Sequence, residues 1–390
     1  MNVLALLTAI PLLAWIYLLF AHGRFWRADQ ILVHHDVRPR RYPAVAVVIP
    51  ARNEADGIAT TISGLLAQEY PGDITIWLVD DSSTDGTADI ARQAAAGDPR
   101  LTVIANQPLP PGWVGKMWAV NKGLNSVPAD SEYIFLTDAD IQHEPELLRQ
   151  LVTKSELENL VLTSLMVRLN CDTAWEKLLI PAFVFFFQKL YPFPRVNDPD
   201  QKLAAAAGGC MLVRKSALDA VGGVTRIQDA VIDDCALARL LKREGPVWLG
   251  LAGKTRSLRR YSRLGEIWDM VARTAYTQLR HSPALLIGSV AGMMLLYLMP
   301  VASLVTGLLT GDVAVALGSA VTLSLMTVCF LPTIQLYRLP LVWALTLPVA
   351  GLLYGLMTWS SGYRHWRGRG GGWKGRTYSR AGETGQQAHD

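Results

Sequence analysis

The sequence predicts an α/β domain on a parallel, doubly wound sheet, held between apolar ends. Three observations carry this expectation. Between residues 43 and 262, apolar runs of strand length alternate with segments of helical periodicity. Several of those runs lead straight into carboxylates, at the strand end where open α/β sheets bind ligands. Apolar residues make up 51% of the 390 and charged residues 18%, and the apolar excess lies at the two ends.

Residues 3–20, VLALLTAIPLLAWIYLLF, carry no charge and approach the roughly 20 residues that span a bilayer. There is no basic segment before them and no small-residue cleavage site after them. Residues 1–22 are therefore expected to form a transmembrane anchor rather than a signal peptide. Arg24, Arg27, Arg38, Arg40 and Arg41 follow, which places the next domain in the cytoplasm by the positive-inside tendency. Net charge is only +4, and the basic residues sit beside apolar segments. That pattern fits a membrane surface and no nucleic acid. Cys171, Cys210, Cys235 and Cys329 lie far apart without a C-x-x-C, so neither a zinc site nor a disulfide framework is expected.

Ala44 to Pro50 reads as a buried strand, Ala51-Arg52-Asn53-Glu54 as its loop, and Ile58, Ile62, Leu65 and Leu66 as one face of a helix. Thr75 to Val79 is a second strand, ending in Asp80-Asp81-Ser82-Ser83-Thr84-Asp85-Gly86-Thr87. A calcium loop counted from Asp81 would need an acid where Arg92 stands. Leu101 to Ala105 is a third strand. The Gly112 to Lys116 stretch is too short for a P-loop, His143-Glu144 lacks a second His, and no G-x-G-x-x-G follows the first strand. Within Pro111 to Gly123, a glycine turn lets backbone approach a ligand, and Lys116 suits a phosphate. An ordinary loop feeding a Trp-bearing helix would read the same way.

Tyr133 to Leu136 runs into Thr137-Asp138-Ala139-Asp140. Two Asp spaced by one residue on a turn can converge on a hard divalent cation, Mg²⁺ or Mn²⁺. They can equally cap a strand end. Pro145 opens a helix buried through Leu147, Leu148, Leu151 and Val152, and Leu160 to Leu169 is a further strand. The aromatic patch Phe183 to Tyr191 is open to three readings: an interfacial segment, the roof of an acceptor groove, or a buried core helix. Gly208-Gly209 open an apolar strand. Asp233-Asp234 precede a helix carrying Leu237, Leu240 and Leu241 and closed by Gly245. Such a pair caps a helix or supplies a general base.

Lys254, Arg256, Arg259, Arg260 and Arg263 lead into Leu264, Ile267, Trp268, Val271 and Ala275 on one helical face. Residues 263–282 are therefore expected to lie at the membrane interface, with Gln278 and Arg280 at the membrane entrance. Within 283–361, apolar segments fall near 284–309, 313–331 and 340–359, followed by a basic tail, 362–390. One anchor and three later crossings would put that tail outside, whereas its Arg364, Arg367, Arg369, Lys374 and Arg376 put it inside. A cytoplasmic tail requires a re-entrant segment or a fold-back at Pro300.

Taken together, residues 43–245 resemble the family 2 glycosyltransferases. The matching pieces are Pro50-Ala51-Arg52-Asn53-Glu54, Asp80-Asp81, Gly115-Lys116 with Asn121, Asp138-Ala139-Asp140, Gly208-Gly209 and Asp233-Asp234. The Gly112 to Ala119 run, the C-terminal apolar segments and Trp373-Lys374-Gly375-Arg376 look most like the hopene-associated members and their carotenoid-glycosylating relatives. The resemblance implies a GT-A mixed sheet over 43–262 that binds a nucleotide-sugar, with a UDP-sugar favoured. Pro50, Asn53, Glu54, Asp80, Asp81, Lys116, Asn121, Asp138 and Gly209 would then form the donor site. Asp140 with Asp138 would bind the metal. Asp234 would be the base, beside Asp233 where the family more usually has Glu. The polymer-forming members carry Gln-x-x-Arg-Trp. Here Gln278-Leu279-Arg280-His281 has other spacing and no Trp, which favours adding one sugar to a lipid acceptor. Transfer to polyprenyl phosphate and a non-catalytic membrane component are the alternatives. A transporter is disfavoured, because the apolar segments hold almost no internal charge.

Overall fold

The computed structural model describes residues 3–33 and 39–368, and the backbone of 372–373 and 376–377. Arg38, Arg369, Lys374 and Gly375 lie outside the described residues, so the tail motif is not placed. The chain falls into two units. One, α/β in structure, draws on residues 30–169 and 196–259. The other, helical, draws on 1–29, 170–195 and 260–370.

Helix α1 (Val3–Phe20) belongs to the helical unit, and the α/β unit opens with β1 (Val45–Ala51). Every residue of β1 is buried, as expected of a central strand covered on both faces. Then follow α2 (Ala55–Leu66), β2 (Ile74–Asp80), α3 (Thr87–Ala95), β3 (Leu101–Ala105), α4 (Gly115–Leu124) and β4 (Tyr133–Leu136). These four strands are parallel in the order β3-β2-β1-β4. So far the sheet is the doubly wound one expected.

Beyond β4 the sheet leaves the simple parallel alternation and becomes the mixed sheet that the family resemblance implies. The unit then continues with β5 (Ile141–Gln142), α5 (Leu147–Leu157) and β6 (Leu162–Arg168); the chain next forms α6 (Ala174–Leu190), which belongs to the helical unit, and α7 (Phe193–Asn197), before β7 (Met211–Arg214), α8 (Lys215–Ala220), α9 (Asp233–Leu241) and β8 (Val247–Ser257). β7 runs antiparallel to both β4 and β6, so the eight-stranded sheet is mixed, in the order β3-β2-β1-β4-β7-β6-β8-β5. An apolar run carries no direction, and β7 arrives after a long excursion rather than from a short crossover helix. β8 also takes Lys254 and Arg256 into a strand that the sequence reading did not single out. Gly250 and Gly253 interrupt its apolar pattern and hide it.

α4 reaches the sheet because Gly123 has no side chain. A Cβ there would collide with Val48 and come within 3.2 Å of Val79 Cγ2. Gly123→Ala is expected to cost about 1–3 kcal/mol by overpacking, read as a lower unfolding midpoint of the purified protein.

The helical unit continues with α10 (Leu264–Gln278), α11 (Pro283–Met293), α12 (Met299–Thr310), α13 (Val313–Leu336) and α14 (Leu347–Trp366). α11 and α12 are joined by a π-helical turn, Met294–Leu298. The helix is therefore continuous from Pro283 to Thr310, and Pro300 does not fold the chain back. Pro300 lies inside this continuous helix, just after the π-helical turn, where the altered hydrogen-bond register accommodates a residue without an N–H. Among the described residues three helices are long and apolar enough to cross a membrane: Pro283–Thr310, Val313–Leu336 and Leu341–Trp366. The described apolar run of α1, Leu6–Phe20, is shorter.

The aromatic patch Phe183 to Tyr191 falls largely within α6, with Val184 and Phe185 buried in the core and Leu190 half-exposed, so one face of it is a core helix. Tyr354 donates its hydroxyl hydrogen to the Leu179 carbonyl at 2.9 Å. Ser361 stitches α14 to α10, donating to the Ala272 carbonyl and accepting from the Tyr276 N–H.

Candidate active site

The carboxylates cluster at the carboxyl ends of β1, β2 and β4, because parallel neighbouring strands stop at one edge of the sheet. The first two loops are laced together. Asn53 accepts from the Thr84 N–H at 2.9 Å, and its own N–H reaches Ser83 Oγ at 3.0 Å. Glu54 N–H donates to Thr87 Oγ1 and Ala55 N–H to Asp85 Oδ2. Burial opposes charge on Asp85, but hydrogen bonds from the Thr87 hydroxyl, the Ala55 N–H and the Thr87 N–H outweigh it and hold its carboxyl below the usual range. Asn53 and Ser82 both take positive φ, at 51° and 59°, a strain these lacing bonds offset. Asp81 is buried, accepts from Asn106 Nδ2 at 2.9 Å and lies 3.6 Å from the Arg52 guanidinium. Asp80 ends β2, and its Oδ1 is buried with no hydrogen-bond partner.

Asp138 and Asp140 leave β4 on a turn fastened from several sides. Thr61 Oγ1 donates to the Ala139 carbonyl, Leu258 N–H to the Asp140 carbonyl, and Thr137 Oγ1 to the Gly209 carbonyl. Each carboxylate then meets a different cation. Lys116 Nζ lies 3.0 Å from Asp138 and 3.2 Å from Asp233. Arg259 Nε lies 3.0 Å from Asp140, and its Nη2 lies 3.3 Å from Glu54. Burial works against the charge on Lys116, but Asp138 and Asp233 outweigh it, so the ammonium stays protonated well above its ordinary range.

Asp233 and Asp234 form the first turn of α9, where the helix dipole favours negative charge. Asp234 accepts from the Gly208 N–H at 3.0 Å and the Cys235 N–H at 2.7 Å. Burial, then the neighbouring Asp233, push its carboxyl up to about 6, while Lys116 pulls the other way. Gly208 permits this approach: a Cβ there would stand 3.3 Å from Lys116 Nζ and 3.6 Å from Asp234 Oδ2. Pro50, Lys116, Asp138, Gly208 and Asp233 line one recess.

The structure thus brings Lys116, Asp138, Asp233 and Asp234 together, with Asp140 and Glu54 joined through Arg259. Asn121 sits on α4, five residues beyond Lys116. Gly209 supplies the carbonyl that fixes Thr137. Gln278 and Arg280 belong to the helical unit, where Gln278 donates to the Tyr191 hydroxyl at 2.7 Å. Sequence reading missed Arg259 and Asp85. Arg259 was hidden in a basic run that resembles a membrane contact. Asp85 was visible only as part of a turn.

The donor set suits Mg²⁺ or Mn²⁺. It consists of hard carboxylate oxygens, and these already carry cationic partners. Among the described residues no group of three or more His, Cys, Asp or Glu could hold a metal. Such ions commonly take one or two carboxylates and complete their shell with substrate phosphates, so a two-Asp site fits.

The mixed sheet with flanking helices defines a GT-A-like domain, accompanied by three apolar helices that could span a membrane. Residues 46–222 match the model of glycosyl transferase family 2. The β-monoglucosyldiacylglycerol synthase of a Nostoc species is 28% identical over 209 residues, 51% of this chain and 43% of that one. The undecaprenyl-phosphate 4-deoxy-4-formamido-L-arabinose transferase of Edwardsiella ictaluri is 32% identical over 116 residues, 29% of this chain and 34% of that one. The chain spans less than half the length of either relative. Among solved structures, the mannosyltransferase PcManGT from Pyrobaculum calidifontis, in complex with GDP-Man and Mn²⁺, shares the fold. Its TM-score is 0.54 at 19% identity, over 92% of this chain and 99% of that one.

Proposed function

We propose that the protein is a membrane-bound hexosyltransferase that moves one sugar from a nucleotide-sugar to a lipid hydroxyl. The observation that carries this reading is the convergence of Asp234, held by two backbone N–H groups, with the Asp138–Lys116–Asp233 chain at one sheet edge. Asp80, Asp81, Asn53 and Glu54 sit on the loops that would receive the nucleoside, and Asp140 with Asp138 would hold the divalent cation. When bound, that cation neutralises charge on the diphosphate. Lys116 adds a fixed positive charge where the leaving group gains negative charge.

Asp234 takes the proton of the acceptor hydroxyl. The acceptor oxygen forms its bond to the anomeric carbon as the bond to the diphosphate oxygen breaks on the opposite face. One displacement inverts configuration at that carbon. The three apolar helices, and relatives named for lipid or lipid-phosphate acceptors, support a lipid partner. A hopanoid or other isoprenoid alcohol is the acceptor class that the sequence resemblance favours, and a UDP-sugar is the favoured donor. The arginines between α1 and β1 favour a cytoplasmic site.

A second reading, transfer to a polyprenyl phosphate, is favoured by the undecaprenyl-phosphate relative. There the acceptor is already ionised and needs no base. Purified protein given labelled UDP- and GDP-sugars, Mn²⁺ or Mg²⁺ and a total lipid extract tests the proposal. Metal-dependent label in the organic phase supports it, and label remaining entirely in water with every donor refutes it. A base near 6 also sets the pH profile. Asp234 works only when deprotonated, so transfer should rise with pH through about 6 and then level off. At one unit below that midpoint, about a tenth of the plateau rate should remain.

A further inference from the structure

We infer that Arg259 is the resident counter-ion of Asp140, the metal-binding carboxylate it touches, and that a divalent cation enters by displacing it. This rests on the reading of Asp140 as a metal ligand. The placement of Arg259 follows from strand register. Ile141 pairs with Ser257, and the Leu258 N–H bonds the Asp140 carbonyl at 2.7 Å, so the next residue must emerge beside the Asp140 side chain. Its guanidinium then bridges Asp140 at 3.0 Å and Glu54 at 3.3 Å, joining the β4 turn to the β1 loop. Both carboxylates are only 16% exposed, so their attraction for a cation is not fully screened by water.

The guanidinium occupies Asp140 Oδ2 and Glu54 Oε1, so a divalent ion that takes Asp140 Oδ2 must displace it, and its positive charge repels an ion at the other Asp140 oxygen. In the absence of donor, Arg259 competes with the metal and weakens its binding. When a nucleoside diphosphate arrives, its phosphates offer the displaced guanidinium an alternative bidentate partner. They also offer the metal further oxygen ligands. Metal and nucleotide binding are therefore coupled, and by linkage each tightens the other by the same factor. Arg259 acts as a positioning residue that makes the metal site competent mainly when a nucleotide is present.

The test measures Mn²⁺ affinity of the full-length protein by isothermal titration, alone and with saturating UDP or GDP. Wild type should bind Mn²⁺ weakly alone and at least about tenfold more tightly with the matching nucleotide. Arg259→Gln should bind Mn²⁺ about tenfold more tightly than wild type without nucleotide, and gain less when nucleotide is added. Arg259→Lys should stay near wild type, because it keeps a cation there. Arg256→Gln removes the same charge three residues earlier, from a side chain bonded to Gln142, and should change nothing. An unchanged or weaker nucleotide-free affinity in Arg259→Gln overturns the inference while leaving Asp140 as a ligand. Equal Mn²⁺ affinity of wild type with and without nucleotide overturns it without any variant. No Mn²⁺ binding by any form, with either nucleotide, removes the metal site itself and the inference with it.

Discussion

Asp234→Asn is expected to lower sugar transfer to a lipid hydroxyl by about 10²- to 10⁴-fold, the range that one positioned base contributes. The amide keeps the size of the carboxylate but cannot take a proton. It also disturbs a local arrangement. Both carboxylate oxygens accept backbone N–H groups, from Gly208 and Cys235, and an amide NH₂ must turn toward one of those donors. That mismatch costs on the order of 1 kcal/mol and should show as a small drop in thermal midpoint. Nucleotide affinity, measured in parallel, should change little, because the proposed role of Asp234 is at the acceptor rather than the nucleoside. Loss of transfer with intact nucleotide binding identifies the base. Transfer that survives the substitution identifies an acceptor that is already ionised, and moves the reading to a lipid phosphate.

The second large effect is expected at Asp140. Asp140→Ala should reduce metal-dependent transfer by about 10³-fold, since a cation on a diphosphate is worth several kcal/mol of transition-state stabilisation. The signature lies in chelator response. Wild type should lose activity in EDTA and regain it with Mn²⁺ or Mg²⁺, whereas the residual rate of Asp140→Ala should ignore both. The same substitution leaves Arg259 with Glu54 alone, across 3.3 Å. The loops after β1 and β4 lose a link, but the turn keeps its backbone anchors at Thr61 and Leu258, so the fold should persist. A variant that remains fully responsive to Mn²⁺ would place the metal elsewhere.

Sequence alone determined much of this protein. The strands β1, β2 and β4 were legible because a buried parallel strand is a short apolar run, and their carboxylate endings were legible because function concentrates where such strands stop. The three long C-terminal helices were legible because a bilayer demands a length and a composition, and both can be counted. Asp233-Asp234 was visible as a pair, although its two roles, cap or base, could not be separated.

Tertiary structure decided the rest, for reasons of direction and partnership. Whether Met211–Arg214 runs with or against β4 depends on where the chain returns to the sheet, which no local pattern encodes. Val247–Ser257 became a strand because β6 lies beside it, despite two glycines and a basic end. Lys116 gained its two aspartates, and Asp234 its raised pKa, only through folding that brought α4, β4 and α9 to one edge. Arg259 shows the difference most directly. In sequence it is one of several basic residues before an amphipathic helix. Pairing of β5 with β8 sets it against Asp140, more than a hundred residues away, and turns a surface charge into part of the site.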